Sequence, residues 1–189
     1  KSLKLKALIV MPITTPAIKV DSVKNYGGKV LLYGDTFDEA FEYATSLAKK
    51  DGFTFIHPYD DQDVIVGQGT VGKELFDEIG SSIDAVFVPV GGGGLLAGLG
   101  TYLKSVSQNT KSIGVEPEDA ACLKLALENN KRLALKEVGL FADGVAVKQI
   151  GKKTFSLIKD WIDDVVTVSV DEMCASVQDT FQETRIMSE

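Results

Sequence analysis

Four consecutive glycines are the feature of this 189-residue sequence that points most directly to chemistry. Gly91, Gly92, Gly93 and Gly94 follow a valine-rich run and precede an apolar run, a pattern typical of a strand, a turn and a helix. A backbone without Cβ atoms can approach an anion closely, and the first N–H groups of a helix attract negative charge. The pattern therefore predicts a phosphate-binding site at the start of the predicted helix.

Other kinds of protein offer alternative interpretations of the same glycines. A Walker loop is excluded, because no Lys-Ser or Lys-Thr pair follows at the required spacing. Gly92, Gly94 and Ala97 match the G-x-G-x-x-A pattern of dinucleotide-binding proteins, and Glu116 lies about where a ribose-binding acid is expected. This Rossmann-type interpretation leaves the other two glycines unexplained. A third interpretation is a catalytically dead interaction or regulatory protein that keeps the same fold.

The remaining polar candidates are weaker. His57 is the only histidine and is predicted to anchor a loop, and Cys122 and Cys174 are predicted to be reduced thiols in the core. Glu116 and the two acids after Pro117 have the chemistry of a hard-cation site, but we predict no metal there. Three further acids are predicted to lie in a solvated loop: Asp60, Asp61 and Asp63.

Composition limits the class of protein and its partners. Apolar residues make up 44% of the chain and charged residues 25%, which is typical of a soluble globular protein. The net charge of −7 argues against nucleic acid or an anionic membrane as a partner. No apolar run reaches the roughly 18 residues of a membrane span. Two widely separated cysteines that are predicted to stay reduced favour a cytoplasmic protein.

The hydrophobic pattern alternates between the periods of strands and helices. Short β-branched runs predict strands at residues 6–11, 29–33, 53–56, 84–90, 112–116 and 165–168. Helical spacing and helix-start signals predict helices at residues 66–79, 95–106, 122–129 and 152–162, and after residues 15, 36 and 169. The alternation predicts an α/β fold of three layers, in which a mostly parallel sheet has helices on both faces.

Two lobes are expected from the order of these elements. Two strand–helix units precede the polar loop HPYDDQD, where the chain is expected to pass between the lobes. We predict that residues 1–53 belong to a small α/β lobe and residues 54–189 to a large cofactor-binding lobe. Local signals mark several helix ends, namely capping boxes at Thr36 with Glu39 and at Ser169 with Glu172, and a terminating glycine at Gly52.

Four stretches of the sequence resemble the biosynthetic threonine dehydratases. They are FVPVGGGGLLAG, GVEPEDAACLK, VGLFADGVAVKQIG and IVGQGT, and the resemblance extends from residue 6 to about residue 185. The tetraglycine stretch is typical of the wider family of pyridoxal-phosphate enzymes with the tryptophan-synthase-β type of fold, and VGLFADGVAVK of the dehydratase branch. The resemblance implies a lyase of isoleucine biosynthesis that uses pyridoxal 5'-phosphate as its cofactor.

The resemblance also implies roles for individual residues. The backbone of Gly144 is implied to lie beside the pyridine ring of the cofactor. The residues implied to bind its phosphate are Gly91, Gly92, Gly93, Gly94 and Leu95. No lysine of this sequence lies in a motif that matches the Schiff-base lysine of these enzymes, and no segment matches the one that grips the substrate carboxylate. We therefore expect the chain to be the central part of a longer enzyme, incomplete at both ends and inactive alone.

For the complete enzyme, the resemblance implies β-elimination from a hydroxyamino acid. L-threonine gives 2-oxobutanoate and ammonia, and L-serine gives pyruvate and ammonia. The partners implied are these small-molecule substrates and further copies of the same chain in a homo-oligomer, a tetramer, with neither nucleic acid nor membrane.

Overall fold

Strands and helices alternate along the chain, and every strand pair that the structure describes is parallel. The computed structural model describes residues 4–188. Contacts between residues divide the chain into two compact units, Lys1–Ile56 and His57–Glu189. The predicted α/β class, with parallel sheets flanked by helices, is confirmed. None of the helices within residues 4–188 combines the length and the apolar character needed to cross a membrane.

The first unit consists of two strand–helix repeats. Its elements, in chain order, are β1 (Leu8–Met11), α1 (Ala17–Asn25), β2 (Lys29–Leu32) and α2 (Phe37–Asp51). The two strands pair in parallel, with Leu8 opposite Lys29. Helix α1 packs on β2 and helix α2 on β1. The rings of Tyr33 and Tyr43 stack with their centroids 3.9 Å apart, which ties the end of the sheet to α2.

The second unit contains the larger sheet and the main core. Its elements, in chain order, are α3 (Gln62–Ile79), β3 (Ala85–Pro89), α4 (Gly94–Val106), β4 (Lys111–Pro117), α5 (Cys122–Glu128), α6 (Lys152–Ile158), β5 (Asp164–Val168) and α7 (Val170–Thr184). Strand β4 is central, with β3 and β5 on its two sides. The core is a cluster of buried apolar side chains. Its least exposed large members include Val88, Leu96, Leu103, Leu123 and Ile158.

Glycines allow α3 and α4 to pack backbone against backbone. A Cβ on Gly98 would lie 2.2 Å from the carbonyl oxygen of Ile65, and one on Gly72 would lie 2.9 Å from that of Leu99. Side chains at these two positions would push the helices apart, because such distances are far below van der Waals contact. The packing holds α4, which begins at the last of the four glycines, against the longer α3.

Three elements differ from the prediction by more than two residues at one end or are absent. Residues 53–56 do not form a strand, because no other described strand pairs with them and their apolar side chains are mostly exposed. Helix α3 begins at Gln62 rather than at residue 66, because the Asp61 carboxylate accepts hydrogen bonds from two N–H groups of its first turn. The helix predicted at residues 152–162 ends at Ile158, whose carbonyl oxygen then accepts two N–H bonds in turns.

The predicted helix-end signals are confirmed. Both capping boxes are present, and in each the N–H of the capping residue bonds to the glutamate side chain. These backbone hydrogen bonds lower the pKa of Glu39 and of Glu172. Gly52 ends α2 with a φ of 73°, in the left-handed region that favours glycine.

Candidate functional site

The glycine segment, residues 91–94, joins the end of β3 to the start of α4. It therefore lies at the carboxyl end of a parallel strand, which is where ligands bind in α/β folds. Gly92, Gly93 and Gly94 are buried. Gly93 has a φ of 88° and a ψ of 3°. A residue with a Cβ adopts this left-handed conformation at a cost of about 1–2 kcal/mol, so the backbone itself favours glycine here.

The peptide groups of the glycine segment are fixed through three carbonyl oxygens. These oxygens belong to Gly91, Gly92 and Gly93. The Cys122 thiol donates to the first at 3.4 Å, the Thr154 hydroxyl to the second at 2.8 Å, and the Ala97 N–H to the third at 2.9 Å. The C=O and N–H groups of a trans peptide point in opposite directions. These bonds therefore fix the direction of the N–H group that follows each carbonyl.

The N–H groups of the same peptides have no partner within the described part of the protein. No residue among 4–188 accepts a hydrogen bond from the N–H groups of residues 91–96. The first turn of α4 also carries no acidic residue, and no side chain caps it. Unpaired N–H groups at the positive end of a helix attract an anion, and a buried N–H without any partner is costly. The segment is therefore suited to bind an anionic group.

Side chains of the protein lie directly against the glycine segment. A Cβ on Gly92 would lie 2.2 Å from Cγ of the Tyr59 ring. A Cβ on Gly93 would lie 2.7 Å from Cδ1 of Ile150 and 3.1 Å from Cβ of Thr154. From the sequence alone, the predicted reason for the glycines is the close approach of an anion. The structure adds a reason within the protein, because a side chain at either position would displace its neighbours.

Leu95 and Gly144 are the other two residues that the family resemblance implies contact the cofactor. Leu95 is the second residue of α4, so its N–H belongs to the same set of unpaired donors. Gly144 is exposed in a short turn, Asp143–Val145. A Cβ on Gly91 would lie 3.0 Å from Cα of Val145. The turn that carries Gly144 therefore lies next to the glycine segment.

The loop HPYDDQD supports the site in a way that the sequence does not indicate. The Asp60 carboxylate accepts three hydrogen bonds from the start of α6, from the N–H groups of Lys152 at 2.9 Å, Lys153 at 2.7 Å and Thr154 at 3.2 Å. Asp60 and Asp61 are partly exposed, as the prediction of a solvated loop allows, but each carboxylate also caps a helix, which the sequence did not indicate. No local pattern could reveal the Asp60 contact, since its partners lie about 90 residues away.

His57 holds the same loop in place, as predicted. Its Nδ1 accepts hydrogen bonds from the N–H groups of Tyr59 at 3.2 Å and Asp60 at 2.8 Å. Burial lowers the pKa of His57, although the nearby carboxylates of Asp60 and Asp61 act in the opposite direction. A neutral ring with an unprotonated Nδ1 is required for both bonds, so the lowered pKa and the geometry agree.

Glu116 is used within the fold. Its carboxylate, at the end of β4, is fully buried and accepts N–H bonds from Leu123 at 2.7 Å and Lys124 at 2.9 Å. Burial raises the pKa of Glu116, against the lowering effect of these two bonds. A buried carboxylate that caps α5 cannot bind a ribose, so the dinucleotide interpretation is not supported.

The two cysteines lie in different environments. Cys122 is buried, and burial raises the pKa of its thiol to about 12. The thiol therefore keeps the proton that it donates to the carbonyl oxygen of Gly91. Cys174 is exposed on α7, a helix with no buried side chain among its described residues. The prediction of a core position is confirmed for Cys122 and wrong for Cys174.

Comparisons with known proteins identify the family of the chain. A family model described as pyridoxal-phosphate dependent enzyme matches residues 1–189. The chain is 54% identical over 183 residues to threonine dehydratase 1 biosynthetic, chloroplastic, from Solanum lycopersicum, and 52% identical over 189 residues to L-threonine dehydratase biosynthetic IlvA from Pasteurella multocida. These matches cover 97% and 100% of this chain but 30% and 37% of the relatives, so the chain spans about a third of their length.

A solved structure of a threonine deaminase has the same fold as this chain. The processed form of threonine deaminase isoform 2 from Solanum lycopersicum is 49% identical and superposes with a TM-score of 0.93. The superposition covers 99% of this chain and 54% of that one. The match to the family model over the whole chain, the identity to these relatives and the shared fold lead to one conclusion. The chain belongs to the family of pyridoxal-phosphate-dependent enzymes.

Proposed function

We propose that the chain is the central part of the catalytic domain of a pyridoxal-phosphate-dependent threonine dehydratase. The complete enzyme is then an ammonia-lyase of isoleucine biosynthesis that converts L-threonine to 2-oxobutanoate and ammonia, and L-serine to pyruvate and ammonia. Support comes from the names of the two relatives, which are 52% and 54% identical to the chain. Because the chain spans about a third of their length, the proposal concerns the longer enzyme.

The observation that carries the proposal is the set of fixed, unpaired N–H groups at the start of α4. The residues present fit a phosphate group, because the donors have no acceptor among residues 4–188 and the first turn carries no acidic side chain. The positive end of α4 offsets the charge of such a group. The residues proposed to hold the cofactor phosphate through their backbone are Gly91, Gly92, Gly93, Gly94 and Leu95.

Gly144 is proposed to contribute backbone contact beside the pyridine ring. The turn that contains it lies against Gly91 through Val145. Within residues 4–188, no heavy atom outside its chain neighbours lies within 4 Å of a Cβ placed on Gly144, which leaves room for a planar group. The turn and the glycine segment together suit a ligand that joins a phosphate to a ring.

When bound, pyridoxal phosphate supplies the electron sink for loss of the Cα proton and the β-hydroxyl group. The residues of this chain contribute the anchor, because fixed donors hold a phosphate in one orientation without reorganisation. We propose that the Schiff-base lysine, which also serves as the base, lies outside residues 1–189. None of the lysines of this sequence lies in a motif that matches it.

The proposal also covers the two lobes, the oligomeric state and the cellular location of the complete enzyme. Residues 1–53 are proposed as part of the small lobe and residues 54–189 as part of the large cofactor-binding lobe of the complete enzyme. The complete enzyme is proposed to be a cytoplasmic homo-oligomer, a tetramer. The net charge of −7 is consistent with a protein that avoids anionic lipid and nucleic acid.

The test compares the complete enzyme with the 189-residue chain at the same micromolar concentration of pyridoxal phosphate. We expect the complete enzyme to show the visible absorbance of the bound cofactor, lost on borohydride reduction, and to release 2-oxobutanoate from L-threonine. The chain alone should show neither. A complete enzyme that binds the cofactor but releases no 2-oxo acid would contradict the dehydratase proposal. Product from the chain alone would show that the essential lysine lies within it.

A further inference from the structure

The peptide between Gly92 and Gly93 is held by α6. The carbonyl oxygen of Gly92 accepts hydrogen bonds from the Thr154 hydroxyl at 2.8 Å and from the Gly151 N–H at 3.2 Å. Thr154 is fully buried, so water does not compete for this bond. The peptide is trans, and its N–H group, that of Gly93, points away from the two donors. The direction of one anion-binding N–H group therefore depends on where α6 begins.

The start of α6 is in turn fixed by Asp60. The helix has glycine at its N-cap position, and Gly151 offers no side chain to bond the first N–H groups. The Asp60 carboxylate bonds all three of the first N–H groups of the helix. A Cβ on Gly151 would lie 2.5 Å from Oδ1 of Asp60, so glycine is needed for this approach. Asp60 therefore determines the position of both groups that hold the carbonyl of Gly92.

We propose that Thr154 and Asp60 are positioning residues for phosphate binding by the glycine segment. Neither residue contacts the phosphate. Both act through the carbonyl of Gly92, by holding the next N–H group in its binding direction before the ligand arrives. Glycine peptides are the most flexible in a chain, so without these bonds the ligand must order the segment itself and binds more weakly. The inference rests on the proposed function, because it takes the cofactor phosphate as the anion.

The hydroxyl of Thr154 can be tested with two substitutions in the complete enzyme. Thr154→Val removes the donor with little change in volume, and Thr154→Ser retains it. Losing one hydrogen bond of this type corresponds to roughly 2- to 10-fold in affinity. We expect Thr154→Val to weaken equilibrium binding of pyridoxal phosphate by that factor. Thr154→Ser should keep the affinity of the parent enzyme. Binding of pyridoxal, which has no phosphate, should be equal in all three proteins.

A matched control separates positioning from loss of a buried hydrogen bond in general. Thr110 is also fully buried and its hydroxyl also donates to a backbone carbonyl at 2.8 Å, that of Ile83. Thr110 precedes β4, at the opposite end of the sheet from the glycine segment. Thr110→Val should lower the resistance to urea much as Thr154→Val does, while the affinity for pyridoxal phosphate stays at the parent value.

Asp60 has a control in the same loop. Asp60→Asn removes the charge that caps α6, whereas Asp61→Asn makes the same change in the residue that caps α3. Only Asp60→Asn should weaken pyridoxal phosphate relative to pyridoxal. Because asparagine still accepts a hydrogen bond, both variants should fold, and urea denaturation of the two proteins checks this.

The outcomes distinguish this inference from the proposed function. A parent enzyme that binds pyridoxal as tightly as pyridoxal phosphate would overturn both. A parent that prefers the phosphate, with Thr154→Val and Asp60→Asn variants that keep the full preference, would overturn only the positioning role. Loss of affinity for both ligands alike in these variants would also overturn it, since that result indicates general damage to the site.

Discussion

Replacing Gly93 with alanine combines two penalties that the structure allows to be separated. The left-handed φ of 88° at Gly93 costs a residue with a Cβ about 1–2 kcal/mol. The new Cβ also lies 2.7 Å from Cδ1 of Ile150 and 3.1 Å from Cβ of Thr154, and crowding of this kind costs typically about 1–3 kcal/mol. We therefore expect Gly93→Ala to lower the free energy of unfolding by roughly 2–5 kcal/mol.

The assay is urea denaturation followed by fluorescence of Trp161, the only tryptophan, which packs against the core of the second unit. Gly144→Ala is the control in the same unit, because the new Cβ meets nothing within 4 Å and the φ of Gly144 is not positive. Its unfolding free energy should stay within about 0.5 kcal/mol of the parent value.

A double-mutant cycle isolates the crowding. Ile150→Val removes the Cδ1 atom nearest to the new Cβ, and alone it should cost about 0.5–1.5 kcal/mol. In the Gly93→Ala background the same change should cost less or should stabilise, with a coupling energy of about 0.5–3 kcal/mol. If the two changes are additive, or if Gly93→Ala has the same unfolding free energy as Gly144→Ala, then Ile150 does not pack against Gly93 as the structure shows.

Three further predictions concern other parts of the chain. A thiol reagent should modify one cysteine of the native chain quickly, the exposed Cys174, and reach the buried Cys122 only in denaturant; fast reaction of two thiols would contradict the burial of Cys122. Burial lowers the folded-state pKa of His57. The unfolded chain therefore binds the extra proton first, so stability is full above about pH 6.5 and falls as the pH drops through the folded-state pKa. His57→Asn should abolish this fall between neutral and mildly acidic pH, and an unchanged pH profile would exclude His57 as its source. Lys104→Met should lower the unfolding free energy by about 0.5–1.5 kcal/mol, because Lys104 bonds the partly exposed Asp163 at 2.7 Å; an unchanged urea midpoint would refute this.

The position of the glycine segment could be predicted because its signal is local. A strand, four glycines and a helix follow one another within about 20 residues, and each has its own periodicity or conformational preference. The same holds for the capping boxes at Thr36 and Ser169, where both partners lie within four residues. The prediction of a strand at residues 53–56 was wrong because strand formation needs a paired neighbour, and an apolar run alone does not supply one.

The contacts that hold the glycine segment could not be predicted from the sequence. Asp60 and Thr154 meet partners 94 and 62 residues away. Each contact depends on a side chain and a backbone group that only the fold brings together, and neither residue belongs to a periodic pattern. Asp60 in particular has the sequence context of a solvated loop, because two further acids, Asp61 and Asp63, follow it closely.

The use of acidic side chains in the second unit gives a physical reason why we propose anion binding at α4 and not at a neighbouring helix. Asp61 caps α3, Glu116 caps α5 and Asp60 caps α6, while Ser169 caps α7. Among the α-helices described in this unit, α4 is the one whose first N–H groups donate a hydrogen bond to no described side chain. Each carboxylate that binds a helix start has its charge offset by that helix, so it repels a nearby phosphate less than a free carboxylate does. A chain with a net charge of −7 can in this way keep one helix start available to a negatively charged ligand.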